Sequence, residues 1–229
     1  MSWSIFHKVL LRTVAWFFIA SILSVMVFRF IPVPITPLMF IRCAEQAVSG
    51  KEIRFKKEWK SLEEMGDRMP RAVITSEDQR FEEHFGFDFE AIEKAQEYNE
   101  RHKGKKVRGA STISQQTAKN LFLWPSRTWV RKGFEVYFTF LIELFWSKER
   151  ILEVYLNIIE TGDGVYGAEA AAQTFFKKPC VRLTSMEAAL IAAVLPNPRK
   201  WSPAKPSGYI RRRATAINRM MGYVQFGND

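Results

Sequence analysis

The residues best equipped for chemistry fall in one stretch, Ser76-Glu77-Asp78-Gln79-Arg80-Phe81-Glu82-Glu83-His84-Phe85-Gly86. Two acids stand side by side at the end of an apolar helical turn, with Phe81 four residues beyond Glu77 and His84 seven beyond it. If the helix continues, Glu77, Phe81 and His84 share a face, because positions three and four apart are neighbours. A carboxylate walled by aromatic rings is a fitting general base. The competing reading is a solvated acidic helix start, where the helix dipole favours Glu and Asp.

A second stretch, Gly109-Ala110-Ser111-Thr112-Ile113-Ser114-Gln115-Gln116-Thr117-Ala118-Lys119-Asn120, leads small residues into a helix. Its polar face would hold Thr112, Gln115, Gln116 and Lys119. Amides, hydroxyls and a helix N-terminus can bind sugar hydroxyls or phosphate; a plain polar helix with Ser111 as its N-cap is the alternative. A third group, Arg127, Arg131 and Lys132 with Glu135, is either a surface ion pair, worth little, or an anion cradle with a buried carboxylate. Two further stretches, KERILEVYLN (148–157) and GVYGAEAAAQTFF (164–176), read as packing elements, the second alanine-rich so that neighbours can come close. His7, His84 and His102 are scattered, Cys43 and Cys180 have no metal-ligand neighbours, and no Walker, nucleophile-elbow or dinucleotide fingerprint is present.

The elements that must carry these residues read as helices. Ser61 with Glu64, and Thr184 with Glu187, are capping boxes. Ser147 and Ser207 can each cap a helix, and Pro196 stops the one begun at Thr184. Helical spacing runs through 71–81, 87–98, 111–122, 131–146 and 148–157, and a basic helix closes the chain from Gly208 to about Tyr223. No set of period-2 strands is apparent, so an all-α domain of eight to ten helices is expected. The Lys/Arg-rich, glycine-punctuated segment 101–109 reads as a mobile loop.

Thr13 to Phe28 contains no charge, and with its apolar flanks gives a segment of membrane-spanning length. The expected organisation is a cytoplasmic N-terminus (1–8), a transmembrane helix (9–31), a linker stiffened by prolines (32–50) and one main domain (51–229), with the core lying after the prolines. Lys8 and Arg12 precede the span, which places the N-terminus in the cytoplasm and the domain across the membrane. The net charge of +10 points to an anionic lipid or anionic substrate; nucleic acid is not expected as a partner of a translocated domain.

Taken in this order, EDxxFxxHxG, GxSTIxQQxxKN, RKxxE, KxxILExYLN and YGAEAAA resemble the peptidoglycan glycosyltransferase domain shared by class A penicillin-binding proteins. The resemblance is closest to the monofunctional biosynthetic transglycosylases and covers roughly Ser61 to the end. It implies a mostly α, lysozyme-like fold with a small membrane-facing lobe behind one N-terminal transmembrane helix. It implies lipid II as substrate, a growing β-1,4 glycan strand as product and the bacterial inner membrane as location, with other cell-wall synthesis or division proteins as candidate partners. By resemblance Glu77 is the general base and Glu135 the second essential acid. Lys119, Arg127 and Arg131 lie near the pyrophosphate, and Ser111, Thr112, Gln115 and Gln116 face the sugars. Asp78, His84 and Lys132 support them. Ala110 and Lys177 stand where many members have glycine.

The chemistry agrees with that assignment. Pyrophosphate is a good leaving group that needs fixed positive charge rather than an acid, while the attacking sugar hydroxyl needs a base. Displacement of an α-linked pyrophosphate would invert the anomeric carbon. No cofactor is required; a divalent ion, Mg or Mn, at the pyrophosphate is compatible with Glu135, which alternatively holds a basic residue in place. A lysozyme-like hydrolase and a non-enzymatic envelope scaffold are the rival readings.

Overall fold

The computed structural model describes residues 3–102, 108–126, 128–224 and 226. In chain order its helices are α1 (Trp3–Phe30), α2 (Pro37–Val48), α3 (Leu62–Met65), α4 (Arg68–Glu77), α5 (Phe89–Arg101), α6 (Ile113–Phe122), α7 (Trp129–Phe145), α8 (Lys148–Ile158), α9 (Ala168–Phe176), α10 (Ser185–Val194) and α11 (Gly208–Met220). Three very short strands, β1 (Lys56–Lys57), β2 (Glu160–Gly162) and β3 (Val165–Tyr166), form a small sheet with β3 in the middle. β1 runs parallel to β3 and β2 antiparallel to it, with Lys56 opposite Val165 and Glu160 opposite Tyr166. Strands of two or three residues cannot show an alternation, which is why the all-α expectation missed them. Gly164 makes the pairing possible: a Cβ there would lie 2.3 Å from the Arg54 carbonyl oxygen.

The expected caps form. Ser61 and Glu64, and Thr184 and Glu187, make reciprocal capping boxes, and Ser147 and Ser207 each accept a hydrogen bond from the first turn of their helix. α10 is buried on nearly every side through Ala188, Ala189, Ile191, Ala192, Ala193 and Val194, and forms the centre against which α4 and α11 pack. α8 contributes Ile151, Leu152, Tyr155 and Leu156 to the same core, and α9 brings its buried alanines close to α8. α9 ends on Lys177 in the left-handed conformation (φ 59°, ψ 34°). That is the conformation glycine adopts freely at a helix end, so the departure noted in the sequence falls where a side chain is strained.

Two expectations about the N-terminal region change. The segment expected as a linker contains α2, whose N1 proline and Thr36 cap start a helix that packs on α6. The core does not begin after the prolines either: Val25 and Val33 are fully buried within it. Phe6–Phe30 is long and apolar enough to cross a membrane, and its second half docks on α7. Ser21 Oγ meets Tyr137 OH at 2.7 Å, and the Trp146 indole donates to the Val25 carbonyl at 2.8 Å. Arg150 of α8 donates to the Phe28 and Ile31 carbonyls at 2.7 and 2.6 Å, satisfying acceptors that the end of α1 would leave open.

Candidate active site

Glu77 is the last residue of α4, and its side chain is 13% exposed. The helix stops there because Asp78 turns out of it (φ −162°, ψ 77°) to reach partners elsewhere. Its Oδ2 accepts from the Ile113 amide at 2.9 Å, and its Oδ1 lies 2.9 Å from His84 Nε2. Asp78 is thus a buried anion at the N-terminus of α6, where the free amides and the helix dipole favour it. This corrects the shared helical face expected for Glu77, Phe81 and His84. Residues 79–86 are turns, His84 serves Asp78, and Phe81 is sealed in the core beneath the Lys148 ammonium, 4.7 Å from its ring centroid.

The N-cap of α6 is Thr112, not Ser111. Thr112 and Gln115 exchange backbone and side-chain hydrogen bonds at 3.1 Å each way, and Thr112 Oγ1 donates to the Gly86 carbonyl at 2.7 Å. Both side chains are buried and committed to the fold of the loop, while Ser111 is exposed in the cleft. Gln116 does reach the first acid: its Nε2 donates to Glu77 Oε2 at 3.0 Å. The amide is held in that sense by Tyr155, whose hydroxyl donates to Gln116 Oε1 at 3.3 Å. Burial raises the Tyr155 phenol well above its ordinary range, with the Glu77 and Asp78 carboxylates adding to the effect, so it stays a donor.

Lys119 follows Gln116 by three residues and lies on the same face of α6. Burial lowers its pKa below the ordinary 10.5; Glu135 and Glu77 pull it back up, and Arg131 and Lys132 push it down. Among the described residues its ammonium makes no hydrogen bond or ion pair. Glu135, on α7, is buried at 3% exposure and takes Arg131 on one carboxylate oxygen and Lys132 on the other. Arg131 keeps a buried Nε without a partner. The third cation expected here, Arg127, lies outside the described residues, as do residues 103–107 of the expected mobile loop.

A cleft of about 860 Å³ is lined by Glu77 together with Lys94, Tyr98, Ser111, Gln116 and Arg213. The sequence reading missed Ser76, Tyr155 and Arg213 as members of this site. Ser76 Oγ donates to Glu77 Oε1 at 3.1 Å, and Arg213 Nη2 donates to Ser76 Oγ at 3.0 Å. A signal for Arg213 was present: it follows Ile210 by three and precedes Ile217 by four, the stripe that seats α11 on the core. Among the described residues no group of three or more His, Cys, Asp or Glu side chains is placed to hold a metal ion. Both oxygens of Glu135 already face cations, so that carboxylate does not fit the divalent ion considered for it.

A family model described as Transglycosylase matches residues 45–222. The chain is 58% identical over 209 residues to a biosynthetic peptidoglycan transglycosylase of Bacteroides thetaiotaomicron, covering 91% of this chain and 84% of the relative. It is 52% identical over 219 residues to the protein of the same name from Bdellovibrio bacteriovorus, covering 95% and 87%. A third such protein, from Pseudomonas putida strain GB-1, is 53% identical over 213 residues, covering 93% and 89%.

Proposed function

Because this chain belongs to the transglycosylase family, we propose that it builds glycan strands for the cell wall from lipid II, with inversion at the anomeric carbon and release of undecaprenyl pyrophosphate. The observation that carries the substrate is Lys119. A half-buried ammonium without an ion-pair partner among the described residues costs free energy, and an anion brought by the substrate offsets that cost. Arg131 stands beside it with an unpartnered Nε, and Glu135 holds Arg131 and Lys132 in place as charged neighbours.

In this reading a sugar 4-hydroxyl in the cleft attacks the anomeric carbon of the donor. Its proton passes to a Glu77 oxygen as the new C–O bond forms. The bond from carbon to pyrophosphate breaks with its electron pair staying on the phosphate oxygen, where Lys119 and Arg131 meet the growing charge. Gln116 links the two halves, since it sets the Glu77 carboxylate and lies one turn from Lys119.

The lipid tail of the substrate accounts for apolar side chains left in the open around α7. Trp124, Trp129, Val130, Phe140 and Leu144 are exposed next to the helix proposed to cross the membrane. In that topology the N-terminus is cytoplasmic and the domain lies on the outer face of the inner membrane. A lysozyme-like hydrolase would need a proton donor for its sugar leaving group; this site offers cations instead. The test is direct: the detergent-solubilised protein is given either purified lipid II or finished glycan. Polymer from the first and no fragments from the second is the expected result, and the reverse would establish the hydrolase.

A further inference from the structure

Glu77 is gripped at both carboxylate oxygens, and the two grips differ. Oε2 is held by Gln116, which Tyr155 orients. Oε1 is held by Ser76, whose hydroxyl has a single proton and two acceptors within reach: Glu77 Oε1 at 3.1 Å and the Ala192 carbonyl at 3.4 Å. Left alone, that hydroxyl could serve either one. The shorter distance and the charge of a carboxylate favour Glu77, and Arg213 supplies the hydroxyl with a third partner. A guanidinium can only donate and an ionised carboxylate can only accept, so a serine between them must accept from the first and donate to the second. Arg213 Nη2 donates to Ser76 Oγ at 3.0 Å and lies 3.8 Å from Glu77 Oε1, close enough to draw the carboxylate electrostatically without binding it directly. A hydroxyl that accepts from a cation is also a stronger donor.

We infer that Arg213 is a positioning residue for Glu77, acting through Ser76 to hold the Oε1 edge of the carboxylate toward the cleft. The arginine is set for this at a cost: its Nε is buried without a partner, and its side chain is only 30% exposed. Its neighbours in the run of three arginines, Arg211 and Arg212, are exposed. The helix that carries it is fixed by Ile210, Ala214 and Ile217, all buried, and packs on both α10 and α4. The C-terminal helix therefore belongs to the active site, 136 residues along the chain from the acid it serves.

The inference rests on the reading of Glu77 as the base, and its test separates the two. Steady-state polymerisation of purified lipid II is measured for the full chain and for Arg213→Met, Arg213→Lys, Ser76→Ala and the Met/Ala double variant, with thermal unfolding of each. A base held in a less productive orientation loses turnover rather than affinity, so Arg213→Met should lower kcat by about tenfold with KM within about twofold. Arg213→Lys, which keeps a donor cation, should recover part of the loss. Ser76→Ala should resemble Arg213→Met, and the double variant should be little worse than either single one, since both break the same chain. A raised KM with unchanged kcat would make Arg213 a direct substrate contact and overturn the inference. So would full additivity in the double variant, or a kcat within about twofold of the parent in Arg213→Met or, should that variant unfold, in Ser76→Ala. If Glu77→Gln kept its rate, the reading of the base would fail; if it lost its rate while Arg213→Met did not, only the present inference would.

Discussion

One turn along α6 from the residue that bonds Glu77, Lys119 is a lysine whose charge burial disfavours. Burial depresses its pKa below 10.5, and the Glu135 carboxylate only partly offsets this. A lysine so placed loses its proton as pH rises through the lowered value, earlier than a solvated lysine would. If its charge meets the departing pyrophosphate, kcat/KM, which reports the free enzyme, should fall on the alkaline side before pH 10.5 is reached. Lys119→Arg keeps its charge in that range, so its own profile should stay flat there, from a lower maximum because a guanidinium is wider than an ammonium. A parent profile flat through pH 10.5 would remove Lys119 from the reaction. Lys119→Ala should cost kcat about one to three orders of magnitude, the scale for losing one charge-stabilising group. Glu77, Glu135, Gln116 and Lys119 were legible as candidates from side-chain type and motif order, and Gln116 does bond Glu77. Ser76 and Tyr155 were not: a helix serine and a core tyrosine become site residues only when α10, α11 and α6 are packed around α4.

The elements were legible wherever a helix announces its own ends. The boxes at Ser61 and Thr184 need no tertiary information. At α6 the same rule separates two neighbouring candidates: Thr112 is followed three on by Gln115, a box, whereas Ser111 is followed by Ser114. The end of α4 could not be read locally, because what halts it is Asp78 reaching Ile113 and His84. Two glycine-type positions test this account of the loops. Gly86 has φ +77°, and a Cβ there would lie 2.8 Å from Thr139 Cγ2 and 3.1 Å from Glu143 Cγ. Gly86→Ala should therefore lower stability by about 1–3 kcal/mol, read from denaturant midpoints, and should loosen the Thr112 cap that rests on the Gly86 carbonyl. Lys177 is the converse case. Lys177→Gly should raise stability by about 0.5–1 kcal/mol, since relief of the left-handed side chain exceeds the added freedom of the unfolded chain. Loss of stability in that variant would mean the Lys177 contact with the Thr174 carbonyl outweighs the strain.

At the scale of the whole molecule, the helix proposed to cross the membrane and the catalytic domain form one packed unit rather than a domain on a tether. The hydrophobic run made α1 legible, but its docking on α7 was not, because apolar residues that face lipid and those that face protein look alike in a sequence. Removing residues 1–31 would orphan the Trp146 indole, leave the Arg150 guanidinium with Glu153 but without its two carbonyl acceptors, and uncover the face of α7 on which α1 docks. The truncated domain should still fold, since α4, α8 and α10 pack without α1, but its Tm should drop by several degrees, about 4 °C per kcal/mol lost. An unchanged Tm would mean that α1 is not docked. The account as a whole turns on Glu77 accepting the proton of the attacking hydroxyl, and the most direct measurement is kcat for lipid II polymerisation by Glu77→Gln in the full-length protein. The amide keeps the size of the acid but cannot take the proton, so kcat should fall at least about a hundredfold with thermal unfolding unchanged, whereas a folded variant that polymerises within a few-fold of the parent would contradict it.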